Sequence, residues 1–327
     1  MIRRLVAACL AFLLAAVPAS AAQTSGHSAH GVRLGFPEDL PGGVFSGGRS
    51  PEVLAVQIML DRSPHSPGVI DGYAGANTSR AIRAFERANG LPVDGKPDGD
   101  LFRKLMAADS SSLLAHYEIG EADVNGPFAD VPEDFAAKAK LDRLAYEDPL
   151  ELLAEKFHMT QGLLKALNPG ADFGRAGTRI LVARGGDGRL DGTVKRIEVD
   201  KAASSVRAYD GEGRLLASYP ATVGSDQFPS PSGSMEVLAV APEPKYYFDP
   251  EALDWGPDEQ LTIAAGPNNP VGGTWIDLAK EGYGIHGSPD PRLIGKTASH
   301  GCVRLTNWDA HELGAAVEVG ATVEFVS

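Results

Sequence analysis

Cys302 lies in Ser299-His300-Gly301-Cys302-Val303-Arg304, sixteen positions after His286-Gly287. The only other cysteine is Cys9, inside an apolar N-terminal run that reads as a cleaved segment. A lone thiol in an exported chain is inert and buried, paired with another molecule, or chemically employed. A free cysteine taken alone is often a small buried hydrophobe, but its neighbours here favour employment. Gly301 lets the backbone approach a substrate closely. The successive amides of His300, Gly301 and Cys302 can converge on one oxyanion. His286 sits between Gly284 and Gly287, a turned or flexible site rather than a packed strand. A free thiol has a pKa near 8.5 and needs lowering to be mostly thiolate at neutral pH. An adjacent imidazole is expected to do this, which makes Cys302 and His286 a candidate nucleophile–base pair. Zinc ligation would need paired cysteines or a His-x-x-x-His spacing, and neither occurs here.

The elements that position these residues follow from the chain's patterning. Residues 1–22 read as a secretory signal: Arg3 and Arg4, an apolar run from Leu5 to Val17, then Ala19-Ser20-Ala21. That run is shorter than the roughly 20 residues a membrane span needs. No later segment is a candidate span, so stable membrane insertion is not expected. Thirty basic residues against 43 acidic give a net charge of −13. This balance argues against nucleic acid, whose binding rests on neutralising phosphates with Lys and Arg.

Residues 23–48, rich in Gly, Ser and His, read as a flexible linker. Residues 49–108 read as a compact helical module. Val53, Val56 and Leu60 share a helical face, Asp71-Gly72 turns the chain, and Thr78 is the expected cap of a second helix. Gly90 and Pro92 end that helix, and Leu101 and Leu105 stripe a third. Residues 109–140 show no clear period and read as a connector, with a short helix around Phe135 to Leu144. In 141–185, Asp148-Pro149-Leu150-Glu151 opens a helix and Thr160 caps another. Asn168-Pro169-Gly170 ends it, and Thr178 to Val182 alternates as a strand. From about 190 short strands dominate, with a helix from Trp308 to Val317, which implies a β-sandwich or barrel-like sheet.

Three resemblances follow from these motifs. The region 49–108 resembles the three-helix peptidoglycan-binding domain, departing from it at Asp98-Gly99-Asp100. The region 141–185 is similar to a LysM module, with Glu147-Asp148-Pro149 replacing the usual Gly-Asp-Thr. It is read either as a working glycan binder or as a spacer with that fold. The region 190–327 resembles the YkuD-type L,D-transpeptidase catalytic domain. That likeness rests on His286-Gly287 and Ser299-His300-Gly301-Cys302-Val303-Arg304-Leu305. Gly266-Pro267-Asn268-Asn269-Pro270-Val271-Gly272 and Ser230-Pro231-Ser232-Gly233 support it. The fold class expected is therefore multidomain α+β: a mainly-β sandwich carrying a three-helix domain and a small βααβ module.

The resemblance implies that Cys302 is the nucleophile and His286 the base, with the Gly287 carbonyl orienting the imidazole. The amides of Gly301 and Cys302, with His300, would hold the oxyanion. Arg304 is read as binding a substrate carboxylate or bracing the loop, with a structural salt bridge as the alternative. Ser299 is expected to hydrogen-bond within the loop. Tyr246, Tyr247 and Trp275 line the cleft or pack in the core. Ser230 is expected to affect a turn more than the chemistry. The implied reaction needs no metal or nucleotide cofactor. Its partners are peptidoglycan stem peptides and glycan, with an envelope lipoprotein as a further candidate, and its place is the periplasm or cell envelope. An L,D-carboxypeptidase-type hydrolase and a non-catalytic wall-binding protein remain the rival readings.

Overall fold

The computed structural model describes residues 27–38, 40–251 and 256–327. Residues 1–22, read above as a secretory signal and including Cys9, lie outside the described residues. The N-terminal half begins with a hairpin, β1 (Ser28–Ala29) and β2 (Val32–Arg33), followed by α1 (Pro51–Arg62), α2 (Ala76–Asn89) and α3 (Gly99–Ala108). Ser50 caps α1 by accepting the Val53 N–H, and Pro51 supplies the first turn. The face predicted from Val53, Val56 and Leu60 is only part of what α1 buries, because every residue from Val53 to Leu60 is buried. This helix runs through the middle of its half of the molecule. Gln57, 2 % exposed, is satisfied there: it donates to Asp71 Oδ1 (2.9 Å) and Thr78 Oγ1 (3.1 Å) and accepts from Gly72 N (2.8 Å). Thr78 therefore does not cap α2. The cap is Gly75, and Thr78 sits inside the first turn holding Gln57. Asp98 caps α3 through the Leu101 N–H at 2.8 Å, so the departure at Asp98-Gly99-Asp100 still starts a helix.

Next come β3 (Leu114–Glu118), the single-turn helices α4 (Glu121–Val124) and α5 (Phe135–Lys138), then α6 (Pro149–Lys156), α7 (Gln161–Leu167) and β4 (Arg179–Ala183). Asp148 and Thr160 cap α6 and α7 as expected. β3 pairs antiparallel with β4, Leu114 opposite Ala183. The strand that completes the second small unit thus lies within 109–140, the stretch read as connector. Five residues including His116 and Glu118 are too few for a clear alternation. The linker expectation for 23–48 is also corrected. Leu34, Phe36 and Val44 are at most 2 % exposed and join one apolar core with Leu54, Phe102, Leu153 and Leu164. Three well-spaced apolar side chains outweigh a Gly- and Ser-rich composition. The helical module and the β3–β4 unit therefore share a core.

The C-terminal half contains β5 (Val194–Asp200), β6 (Ser205–Tyr209), β7 (Leu215–Pro220), β8 (Gly233–Pro242), β9 (Tyr246–Phe248), β10 (Leu261–Ile263), β11 (Thr274–Leu278), β12 (Gly284–His286), β13 (Val303–Arg304), α8 (Asn307–Ala316) and β14 (Val317–Val326). Eight strands form one sheet in the order β13-β12-β11-β8-β14-β5-β6-β7, and β9–β10 is a separate hairpin. The pairs β5–β14 and β12–β13 are parallel. The sheet curls until its two edges meet: Thr222, just past β7, bridges Arg304, and Gly224 bridges Ser299. Ala310 and Leu313 of α8 pack into the enclosed core with Ile197 and Val199 of β5 and Val323 of β14. No helix among the described residues is long and apolar enough to cross a membrane.

Candidate active site

His286 ends β12, opposite Trp275 on β11, and the two rings stack at 5.4 Å with planes 23° apart. A Cβ at Gly284 would collide with the Trp275 ring, so the glycine is what lets Trp275 lie flat along the strand. His286 Nδ1 lies 2.7 Å from the Gly287 carbonyl. A carbonyl only accepts, so Nδ1 carries the proton and Nε2 is the basic nitrogen. The imidazole is 3 % exposed. Burial, then the positive charge of Arg304, push its pKa down to about 3, while the Gly287 and Val271 carbonyls pull the other way. His286 is therefore neutral.

Gly287 rests against Asn307, the first residue of α8, and a Cβ at either Gly272 or Gly287 would strike the Asn307 amide oxygen. Asn307 accepts from Gly273 N (3.2 Å) and donates to Glu155 Oε2 (3.1 Å) and to the Pro267 carbonyl (3.1 Å). Glu155 belongs to α6, in the other half of the molecule. Burial, reinforced by Glu151, raises its pKa to about 8 despite the Asn307 hydrogen bond. A side chain of the N-terminal half thus holds the residue that backs the carbonyl orienting the histidine.

Cys302 is half-buried, just before β13. β12 and β13 run parallel with His286 beside Arg304, so residue 302, two positions earlier, faces the same side. The thiol's hydrogen bond goes to the Gly282 carbonyl at 3.5 Å, not to the imidazole. Burial pushes the thiol pKa up, outweighing the Gly284 backbone and Arg304, which favour the thiolate. The expectation that His286 lowers the thiol pKa is therefore corrected. Both groups are desolvated, and the nearby guanidinium disfavours an imidazolium, so the resting pair is thiol and neutral imidazole.

Two serines hold the loop that carries Cys302. Ser299 Oγ donates to the Cys302 carbonyl (2.6 Å) and accepts the Gly301 N–H (3.1 Å). Ser230 Oγ, buried, donates to the Gly301 carbonyl (2.7 Å) and accepts the Gly224 N–H (2.8 Å). Gly301 has φ +118°, and a Cβ there would press on the Tyr283 ring. Two expectations change. The Gly301 amide, expected to be an oxyanion donor, is already engaged by Ser299. Ser230 does more than shape a turn, since it braces the peptide before the thiol. Its motif was visible in the sequence, but its partner, 71 residues away, was not.

Arg304 forms no ion pair with any described residue, and its Nε is buried without a partner. The structural-salt-bridge alternative therefore lacks a counterion here. Burial lowers its pKa, while Cys302 and Tyr246 act the other way. Tyr246 is half-buried, its hydroxyl pushed up to about 12 by burial and by Cys302. His300 is exposed, its ring 4.7 Å from that of Phe228. Cys302, His286, His300, Arg304, Tyr246, Tyr247, Trp275 and Val271 all line one cavity of about 580 Å³. So does Phe135 of α5, which sequence patterning did not connect to the site. A larger cavity of about 710 Å³, beside Glu151, Glu155 and Asn268, contains no cysteine or histidine.

The curled-sheet half and the helical module each match a known protein family. Residues 194–325 match the family described as the L,D-transpeptidase catalytic domain (YkuD), and residues 49–105 match "Putative peptidoglycan binding domain". The chain is 31% identical to "Putative L,D-transpeptidase YkuD" of Bacillus licheniformis over 54% of its own length and 92% of that protein's. It is 26% identical to the protein of the same name in Bacillus subtilis, again over 54% and 92%. A third relative, "Probable L,D-transpeptidase ErfK/SrfK" of Escherichia coli, is 27% identical over 54% of this chain and 59% of that one. The chain belongs to the L,D-transpeptidase family, a family of acyltransferases, and also carries a peptidoglycan-binding domain.

Proposed function

We propose that the protein is a cell-wall L,D-transpeptidase working through a Cys302 thioester on tetrapeptide stems of peptidoglycan. The observation that carries this reading is His286 Nδ1 held on the Gly287 carbonyl at 2.7 Å in the cavity that also holds Cys302. The sulfur attacks the diaminopimelate carbonyl that precedes the terminal D-alanine. The thiol proton passes to His286 Nε2 and on to the departing D-alanine amine. A C–S bond forms and the C–N bond breaks. The Cys302 amide stabilises the oxyanion; removing one such donor costs about 3 kcal/mol in a well-studied hydrolase. An amine from a second stem then attacks the thioester, giving a 3→3 cross-link, and its proton returns through His286 to the sulfur. Arg304, which has no counterion among the described residues, grips a substrate carboxylate. Because both members of the pair are neutral, deprotonation accompanies attack rather than preceding it.

The peptidoglycan-binding domain and the β3–β4 unit hold the enzyme at the wall and raise the local stem concentration. A peptidoglycan substrate and the signal-like reading of residues 1–22 support action in the periplasm or cell envelope. An envelope lipoprotein lysine, a free D-amino acid or water are further acceptors for the same thioester.

Two measurements test the reading. A carbapenem should add its mass to the wild-type chain and not to Cys302→Ala, and an unmodified wild type would leave only wall binding. With a tetrapeptide muropeptide, a cross-linked dimer is expected; tripeptide alone would make the protein a hydrolase.

A further inference from the structure

We infer that Phe135, from outside the family's catalytic domain, forms a wall of the donor-stem subsite and so sets how well the cleft holds its stem peptide. The inference rests on the reading of that cleft as the acyl-transfer site. Phe135 opens α5, whose first turn is capped by Asp134 accepting the Ala137 N–H at 2.8 Å. Its ring meets Phe248 at 5.6 Å and Tyr246 at 6.0 Å, both edge-on, and stays half-buried in the cavity that contains Cys302 and Arg304. An aromatic side chain carries a large apolar surface, and leaving it facing a cleft is useful when a ligand covers it. The partner chemistry follows from the lining. Phe135 and Val271 offer carbon surface to the methyl and methylene groups of a peptide, whereas Arg304 offers charge to its carboxylate.

The segment carrying Phe135 is fastened to the catalytic half at two places. Arg143 makes a two-point ion pair with Glu243 (2.6 and 2.8 Å), just before β9. Leu144, fully buried, donates to the Ala265 carbonyl (2.9 Å) and accepts from Asn268 N (3.0 Å), while Asn268 Nδ2 donates to the Ala145 carbonyl (2.9 Å). Gly266 has φ +145°, and any Cβ there would collide with the Leu144 carbonyl oxygen. A loop that merely passed by would need neither the paired charges nor this close backbone approach. The family match begins at residue 194, so Phe135 is an addition made by the N-terminal half to the domain's own cleft.

The test is steady-state kinetics of the full chain and of Phe135→Ala with a tetrapeptide muropeptide donor at fixed acceptor. The variant should raise KM for the donor about tenfold and hold kcat within about twofold, and Phe135→Tyr, which keeps the ring, should restore KM. An unchanged KM, or a fall in kcat at unchanged KM as a merely structural residue would give, overturns the inference. Should the alanine chain fail to fold, Phe135→Leu is read by the same criteria, with a smaller rise in KM. Wild-type turnover in the same assay separates the two claims. Its absence defeats the acyl-transfer reading, whereas turnover with an indifferent Phe135 defeats this inference alone.

Discussion

The neutral resting pair makes a quantitative demand on the thiol. Burial raises the Cys302 pKa and holds His286 down at about 3, so no imidazolium is available to stabilise a thiolate at neutral pH. A thiol at its free pKa of about 8.5 is roughly 3 % thiolate at pH 7, and any rise reduces that further. Alkylation by iodoacetamide, a small neutral reagent that reacts with thiolate, should therefore be slow at pH 7. Its rate should climb about tenfold per pH unit from pH 6 to 8, with no plateau below pH 8.5. The assay follows the mass of the Cys302 peptide with time at each pH. His286→Ala should leave the midpoint of the curve nearly where it is, because a neutral ring contributes no charge. A preformed ion pair behaves oppositely, with a fast rate that is flat through pH 7 and a midpoint displaced upward when the histidine is removed. A plateau beginning at or below pH 7 would show that the sulfur is less desolvated, or the imidazole more basic, than their surroundings dictate.

Two further outcomes follow from the groups behind the site. Glu155 and Asp309 are both raised by burial, to about 8 and about 7, so the folded chain retains protons that the unfolded chain releases near pH 4. Their contribution to stability is complete below about pH 4 and is lost as pH rises toward 8. Glu155→Gln, which keeps an acceptor and cannot ionise, should be relatively more stable than wild type at pH 8.5 than at pH 5 in thermal melts; an identical difference at both pH values would contradict this. Ser230→Ala strands the buried Gly301 carbonyl and Gly224 N–H, at a cost of about 1–3 kcal/mol. It should also slow carbapenem acylation of Cys302, and an unaltered melting temperature together with an unaltered acylation rate would count against the bracing role.

The parts of the site legible in the sequence were those carried by local motifs. Cys302, His286 and Gly287 sit in short glycine-flanked stretches, and a histidine bonded to the next residue's carbonyl needs no long-range information. Asp148 and Thr160 were legible for a similar reason, since a cap acts over three residues. Thr78 was misplaced because a buried glutamine 21 positions away claims its hydroxyl. Ser230, Asn307 and Phe135 act through partners 71 to 152 residues distant, and only strand register and docking decide those contacts. β3 was hidden for want of length. The ionisation of the pair lay out of reach as well, because desolvation depends on everything packed around it.

The meeting of the two sheet edges has a consequence for when the thiol becomes dangerous. The loop that bears it is tied down by bridges between residues about eighty positions apart, Thr222 with Arg304 and Gly224 with Ser299. Contacts of such sequence separation carry a large closure entropy and tend to come late in folding. A nascent or half-assembled polypeptide has the sulfur but neither the oriented ring nor the braced loop. Under the proposed mechanism, chemical competence and completion of the fold arrive together, which would protect bystander amides during biogenesis.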